Sequence, residues 1–183
     1  MKKYEFTGET KEIRLLFRTA TLHRIRATVA FGIVEVGDLG GWIEKEENLS
    51  HEGKAWVCGN AEVWGNAEVW GNAKVCGNAK VCGNAEVWGN AKVWGNAKVF
   101  SASHVLVIGA IGSRNDFTTF YRDKDNEITV KCGCFLGKID RFLEKVTQTH
   151  GDSKYALVYR AAVEVAKLQI DLSGEAPKDA DEE

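Results

Sequence analysis

Few residues in this chain of 183 have the types and spacing that catalysis requires. His51 and His104 could act as general bases, because an imidazole titrates near neutral pH. A surface or cap role is the simpler interpretation of both histidines. The sequence also lacks a P-loop, a nucleotide-binding glycine fingerprint, a nucleophile elbow and a His-Glu-x-x-His motif. We therefore predict a protein that is not an enzyme, with no catalytic residues and no cofactor.

Cysteine is the second residue type that could do chemistry, and the chain has five. This odd number, in a chain without the apolar stretch of a secretory signal, predicts free thiols. Cys58 and Cys76 are 18 residues apart, a spacing compatible with either a disulfide or a shared metal ion. Cys132 and Cys134 would need further donors to bind a metal, and His150 is the nearest in sequence. Packed thiols are the simpler interpretation, so no metal site is predicted.

Basic residues after the repeats could form an anion site. Arg114 stands in a Gly-Ser-Arg segment, and the fold could gather it with Arg122, Lys131 and His150. A guanidinium group with additional cations is suited to a phosphate or carboxylate. The alternative is that these four residues are separate, solvated charges.

The elements that position these residues are predicted by the repeats between residues 55 and 100. One hexapeptide occurs eight times there, mostly as Ala-Glu/Lys-Val-Trp/Cys-Gly-Asn. A short regular period means that each unit completes its core with its neighbours. Ala and Val alternate with a charged residue, as in a strand with one buried face, and Gly-Asn supplies a corner at each boundary. Three strands and three corners give an 18-residue coil, so we expect a β-helix of about three coils.

Residues 18 apart should stack on one face of this β-helix, and the outward residues therefore sort into three faces. After the valines, face one carries Cys58, Cys76 and Trp94, face two carries Trp64, Cys82 and Phe100, and face three carries Trp70, Trp88 and Leu106. Before the valines, face one carries Trp56, Lys74 and Lys92, face two carries Glu62, Lys80 and Lys98, and face three carries Glu68, Glu86 and His104. Face three is therefore predicted to be acidic and aromatic.

The aromatic residues of these faces are the main candidates for an interface, because a large exposed apolar patch usually marks a contact. We expect the C-terminal segment or a second copy of the chain to cover Trp70 and Trp88, with an external partner as the alternative. Glu68 above Glu86 is a like-charge pair that requires a nearby cation. The predicted interface residues are Trp64, Trp70, Trp88, Trp94, Phe100, Glu68 and Glu86.

Segments on both sides of the repeats should cap the β-helix, because its open ends would expose unpaired strand edges. Short β-like runs broken by glycines predict an N-terminal β cap over residues 1–50. The β-helix is assigned to residues 51–112, with a last rung that ends near Gly112. Residues 113–172 predict a β-hairpin and two helices, the second of which could cover a β-helix face. Residues 173–183 predict a disordered acidic tail.

The overall charge restricts the kind of partner. The formal net charge is −2, so nothing in the composition predicts a nucleic-acid partner. No run of 18 apolar residues is present, so no membrane span is predicted. We expect a cytoplasmic protein.

Sequence blocks that flank the repeats carry a more specific signal. They are Leu22-His-Arg-Ile-Arg-Ala27, Val36-Gly-Asp-Leu-Gly-Gly-Trp-Ile-Glu44, Asn48-Leu-Ser-His-Glu-Gly-Lys-Ala-Trp56, Cys132-Gly-Cys-Phe135 and Thr149-His-Gly-Asp-Ser-Lys-Tyr155. With these blocks the chain resembles hexapeptide-repeat proteins that bacteriophages and prophages encode, some of which are labelled polymer-forming or cytoskeletal. The resemblance implies a left-handed parallel β-helix and a phage setting in a bacterial host.

The function expected from these features is that of a phage accessory protein. It would bind a host macromolecule, with a defence system as one possible target, and would self-associate as a dimer or trimer through its aromatic faces. One alternative is an oligomer that binds a nucleotide-like ligand by tryptophan stacking and Arg114. The other is an acyl-CoA transferase, since such enzymes resemble the left-handed helix and use a histidine, here His104. No loop interrupts residues 55–100 to hold an acyl-CoA.

Overall fold

A computed structural model describes residues 1–174 of the chain. Its strands are β1 (Tyr4–Leu15), β2 (Arg18–Ala27), β3 (Leu39–Ile43), β4 (Trp56–Val57), β5 (Glu62–Val63), β6 (Glu68–Val69), β7 (Lys74–Val75), β8 (Lys80–Asn84), β9 (Glu86–Val87), β10 (Lys92–Val93), β11 (Lys98–Ser101), β12 (Val105–Ile111), β13 (Asp116–Arg122), β14 (Ile128–Cys132) and β15 (Phe135–Lys138). Its α-helices are α1 (Ile139–His150) and α2 (Lys154–Gln169), and short 3₁₀ turns span Glu46–Asn48 and Ala102–His104.

The hexapeptide region forms a β-solenoid of about three turns. Strands 18 residues apart pair in parallel, with Val57 beside Val75 and Val63 beside Val81. The repeat alanines and valines are almost completely buried, and together they form the solenoid core. This arrangement follows from the sequence, because one residue separates the inward alanine from the inward valine of each repeat, and that residue is charged in every repeat except the first. The predicted fold class and the 18-residue coil are confirmed.

Glycine is required at the corners because successive coils approach each other closely there. Gly77 has a φ of 79°, and a Cβ atom at this position would lie 2.9 Å from the backbone nitrogen of Gly95. The asparagines that follow the glycines form ladders, in which the amide of Asn60 donates to the Asn78 side chain at 3.3 Å. The Gly-Asn pair therefore turns the chain and also connects the coils.

The N-terminal segment extends one sheet of the solenoid. β3 pairs in parallel with β5, and the antiparallel β1–β2 hairpin pairs with β3 through β2. The result is a six-stranded sheet in the order β1-β2-β3-β5-β8-β11. The hairpin is longer than the short runs predicted from the sequence. In β2 the apolar residues Ala20, Leu22, Ile25 and Ala27 are buried, and their alternation with polar residues shifts by one residue at His23–Arg24.

The solenoid ends at β11, so the predicted last rung through Gly112 is wrong. β12 instead pairs antiparallel with β13, with Leu106 opposite Phe120. The Gly-Asn corners stop after Asn96, and β12 has apolar residues on both of its faces. Val105 and Val107 pack against the solenoid core, while Leu106 and Ile108 pack against a second core.

The C-terminal module is an antiparallel sheet in the order β12-β13-β14-β15 with both helices on one side. Phe120, Phe142, Tyr159 and Val163 lie in its core. The expectation that α2 covers a solenoid face is wrong, because the buried side of α2 packs against this sheet. Within the predicted acidic tail, Ser173 and Gly174 accept hydrogen bonds from a buried arginine, and residues 175–183 lie outside the described residues.

Neither helix in residues 1–174 has the length and apolar character needed to cross a membrane.

Candidate functional site

Face two of the solenoid is covered by the N-terminal hairpin. Trp64 is only 4% exposed and forms a buried cluster with Leu22 of the hairpin and Cys82 of the next coil. Lys11 donates to the Glu62 carboxylate at 2.6 Å and thereby ties β1 to the same face. Trp64 is therefore part of the core and is not available to a partner.

Glu44 connects the tip of this hairpin to the solenoid. Its carboxylate accepts hydrogen bonds from the Arg18 guanidinium and, at 2.7 Å, from the backbone N–H of Gly65. The hydrogen bonds from Arg18 contribute most to holding the pKa of Glu44 below its ordinary value. A charged Glu44 thus stabilises the covered state of face two.

Face one is covered by the C-terminal sheet. The Tyr121 hydroxyl donates to the backbone carbonyl of Trp94 at 3.0 Å, and the Lys131 ammonium lies 4.8 Å from the centre of the Trp94 ring. Burial, followed by the nearby Lys92, lowers the pKa of Lys131. Trp94 was predicted to serve an interface and Lys131 an anion site, but the partly buried Trp94 ring contacts the buried Lys131 within the fold.

Cys58 and Cys76 of face one form a disulfide, so the expectation of free thiols is wrong for this pair. The 18-residue coil brings their Cα atoms to 4.7 Å, within the range that a disulfide can span. The spacing had left a disulfide and a shared metal ion open, and the structure contains the disulfide. Cys82, Cys132 and Cys134 are not in disulfides.

Phe100 lies beside buried polar residues at the end of the solenoid. The ring packs edge-on against His104, which is 2% exposed, and the Arg122 guanidinium lies 4.7 Å from the ring centre. The His104 imidazole accepts from the Phe100 backbone N–H at 3.3 Å. Burial, and then the charge of Arg122, lowers the pKa of His104. Arg122 donates to the carbonyls of Ser173 and Gly174 and is therefore engaged within the fold.

Face three is the aromatic face that other segments leave open. Trp70 and Trp88 are 40% and 54% exposed, and their rings stack with centroids 5.2 Å apart and planes 8° from parallel. Leu106 and His104 do not continue the ladder, because the chain leaves the solenoid before them. We expected either the C-terminal segment or a second copy of the chain to cover these two tryptophans. Within residues 1–174 the C-terminal segment does not cover them.

The tryptophan pair has an acidic border. Glu68 pairs in register with Glu86, and neither has an ion-pair partner among the described residues. A shallow cavity of about 540 Å³ next to Trp70 is lined by Glu46, Glu47, Leu49, Ser50, His51, Glu68 and Val69. No basic side chain of residues 1–174 forms an ion pair with Glu68 or Glu86, whereas Glu46 of the cavity pairs with Lys2. Face three thus combines an exposed aromatic surface with uncompensated negative charge.

A second site lies in the C-terminal module, where Arg114 and His150 line one cleft of about 220 Å³. Of the four residues proposed for an anion site, these two are brought together, whereas Arg122 and Lys131 have the other contacts described above. The cleft is also lined by Ser113, Cys132, Cys134, Phe135, Phe142, Lys145, Val146, Thr149 and Tyr159. The sequence prediction missed Lys145 and Tyr159. The helical spacing of Phe142 and Val146 placed Lys145 on α1 but did not show that its side chain faces the cleft.

No three His, Cys, Asp or Glu side chains in residues 1–174 are arranged to hold a metal ion.

The chain is thus a hexapeptide-repeat β-solenoid with one open aromatic face and one basic cleft. A scan against protein-family models finds no match, and a comparison with curated proteins finds no similar sequence.

Proposed function

We propose that the chain is a non-enzymatic binding protein whose face three, defined by Trp70, Trp88, Glu68 and Glu86, docks onto a basic surface of another protein. The observation that carries the proposal is the exposed tryptophan pair beside unpaired glutamates. The tryptophans of the other faces are covered by the chain itself. An aromatic surface that residues 1–174 leave open is typical of an interface.

The charge of face three supports a basic protein as the partner. An arginine or lysine could lie over an indole ring and at the same time pair with Glu68 or Glu86. A nucleic acid would instead bring its phosphates toward these carboxylates, which repel them. A second copy of the chain would present the same negative surface, so self-association through face three, as a dimer or trimer, is the weaker candidate.

The resemblance to phage and prophage proteins supplies the setting for this proposal. The partner would be a protein of the bacterial host. A host defence protein is the target class whose inhibition would serve a phage. The chain would then act by occupying a surface that the host protein needs for its own function.

Affinity capture from a bacterial lysate would test this role when it is combined with matched variants. The double variant Trp70→Ala/Trp88→Ala removes the exposed rings of face three. The control, Leu157→Ala/Leu168→Ala, removes two side chains of α2 that are at least as exposed, at 59% and 90%. A host protein that binds the purified wild type and the control, and binds the face-three variant at least tenfold more weakly, would support the proposal.

Two results would contradict it. Capture that is the same for wild type and the face-three variant would remove face three as the docking surface. A wild-type oligomer that becomes monomeric in Trp70→Ala/Trp88→Ala, measured by sedimentation, would show that a second copy occupies the face. Charge reversal with Glu68→Lys/Glu86→Lys would separate the electrostatic contribution, because it leaves both rings in place.

A further inference from the structure

The cleft of the C-terminal module is distinct from face three, and its charge has a single sign. The ionisable nitrogens that line it belong to Arg114, Lys145 and His150, and no carboxylate lines it. None of the three has an ion-pair partner among residues 1–174, whereas most of the lysines and arginines of the N-terminal hairpin do. Two cations and an imidazole that line one cleft without counter-charges favour the binding of an anion.

Neighbouring carboxylates on the helices are directed elsewhere. Asp140 and Glu144 of α1 line a different groove, together with Leu143. Asp152, which follows α1, lies 3.8 Å from Arg160 of α2. Asp116, two residues after Arg114, lies 3.9 Å from Lys92. None of these four carboxylates lines the cleft.

Two glycines make room for the donor groups of the cleft. A Cβ atom at Gly112 would lie 2.0 Å from the Tyr159 hydroxyl oxygen, so only glycine permits this hydroxyl to approach. A Cβ atom at Gly133, whose φ is 54°, would lie 2.8 Å from a guanidinium nitrogen of Arg114. Gly112 thus leaves space for the Tyr159 ring, and Gly133 lies beside the flexible end of the Arg114 side chain.

The donors are also held in place by neighbouring rings. The imidazole of His150 stacks on the Tyr159 ring, with centroids 5.8 Å apart and planes 29° from parallel. Tyr159 packs edge-on against Phe142, which in turn contacts Phe135. Burial, and then the nearby Cys132, raises the pKa of the Tyr159 hydroxyl to about 12, so this group keeps its proton at neutral pH.

We propose that this cleft is a binding site for a small phosphate-bearing ligand, held by Arg114, Lys145 and His150. The guanidinium of Arg114 provides paired donors for phosphate oxygens, and the Ser113 and Tyr159 hydroxyls lie at the same cleft. The floor of Phe135, Phe142 and Val146 offers an apolar surface to the organic part of a phosphate ester. The cavity is smaller than the roughly 300–1,000 Å³ of sites for drug-sized ligands, which limits that part to a small group.

The site can be tested by calorimetric titration of the purified chain with inorganic phosphate and, separately, with phenyl phosphate. We expect Arg114→Gln to weaken binding at least tenfold, and Lys145→Gln and His150→Gln to weaken it less. The control is Arg141→Gln, which removes an exposed cation of α1 that does not line the cleft. Equal affinity for the two probes would support a site for the free anion, and tighter binding of phenyl phosphate would support a site for an ester.

A spectroscopic readout on the wild type covers the case in which a variant folds poorly. Phosphate should shift the amide resonances of residues 112–114, 132–135 and 145–150 in a two-dimensional NMR spectrum. The absence of shifts up to about 10 mM ligand, ten times a weak Kd of about 1 mM, would overturn the proposal. Shifts centred outside the cleft, or full binding by Arg114→Gln, would overturn it as well. None of these results depends on whether face three binds a protein.

Discussion

Three hexapeptides of the chain have the same sequence and different surroundings. Residues 61–66, 67–72 and 85–90 all read Ala-Glu-Val-Trp-Gly-Asn. The tryptophan of the first is 4% exposed, and those of the other two are 40% and 54% exposed. The glutamate of the first pairs with Lys11, and those of the others have no ion-pair partner in the described part of the chain. Identical repeats therefore share a backbone, and the segments outside the solenoid decide what each outward residue contacts.

The direction of the N-terminal hairpin explains the difference. β3 continues the face-two sheet by pairing with β5, and the attached hairpin places Leu22 against Trp64. On face three, the chain before the repeats contributes the pairing of Leu49 with Val69, a 3₁₀ turn and hydrogen bonds from the Asn48 amide to repeat carbonyls, and none of these covers the tryptophans. The hairpin therefore covers face two and leaves the Trp70–Trp88 pair open.

Removing single tryptophans should give the largest contrast between the two faces. We expect Trp64→Ala to lower the free energy of unfolding by about 3–5 kcal/mol, because it leaves a cavity beneath Leu22. Trp88→Ala should cost about 1 kcal/mol or less, because it loses a stacking contact on a half-exposed surface. Urea denaturation of the two variants measures both values.

A similar loss in the two variants would contradict the comparison, since it would mean that the hairpin does not cover Trp64 in solution. Trp64→Phe serves as the control for packing, because it retains an aromatic ring. It should cost less than Trp64→Ala.

The disulfide gives the next largest effect and distinguishes face one from face three. Reducing Cys58–Cys76 opens a loop of 18 residues, and a loop of about 15 residues corresponds to about 3 kcal/mol of stabilisation. Face three joins the corresponding coils through backbone pairing, the tryptophan stack and the hydrogen bond from Asn72 to Asn90. We expect Cys58→Ser/Cys76→Ser to be destabilised to the same extent as the reduced wild type, and reductant to have no further effect on it. Thermal unfolding with and without dithiothreitol measures this.

The matched control for the disulfide variant is Cys134→Ser, which changes an exposed free thiol. It should leave stability almost unchanged. A wild type whose unfolding temperature does not respond to reductant would show that the disulfide does not form in solution.

How much of this could be predicted from sequence depends on whether the information is local. The coil was predictable because each hexapeptide contains its own strand, corner and inward residues. Which segment covers each face was not predictable, because it depends on the path of segments far away in the chain. Residues 67–72 and residues 61–66 have the same sequence, so nothing within the repeats distinguishes an open face from a covered one. The 18-residue spacing of Cys58 and Cys76 was compatible with a disulfide and with a shared metal ion, so it could not decide between them.

The basic cleft illustrates the same limit. Arg114 and His150 could be proposed together from their residue types, and the structure does place them at one cleft. Arg122 and Lys131 have the same chemistry in the sequence, but they lie at buried contacts with Phe100 and Trp94. Residue type alone does not tell which side of a strand or which end of a sheet a side chain will occupy.

The smallest effect on stability is expected for the glutamates of the identical hexapeptides. Its sign should be opposite on face two and face three. Glu62→Gln should lower stability by about 1–2 kcal/mol, because it removes a charge-assisted hydrogen bond from Lys11 to a carboxylate that is only 13% exposed. Glu68→Gln should raise stability by about 0.2–0.5 kcal/mol, because it relieves the like-charge pairing with Glu86. Urea denaturation at low and high salt measures both, and salt should diminish the gain in Glu68→Gln because it screens exposed charges. If Glu68→Gln destabilised the chain as much as Glu62→Gln, Glu68 would have a cationic partner in solution, and the negative charge assigned to face three would be neutralised.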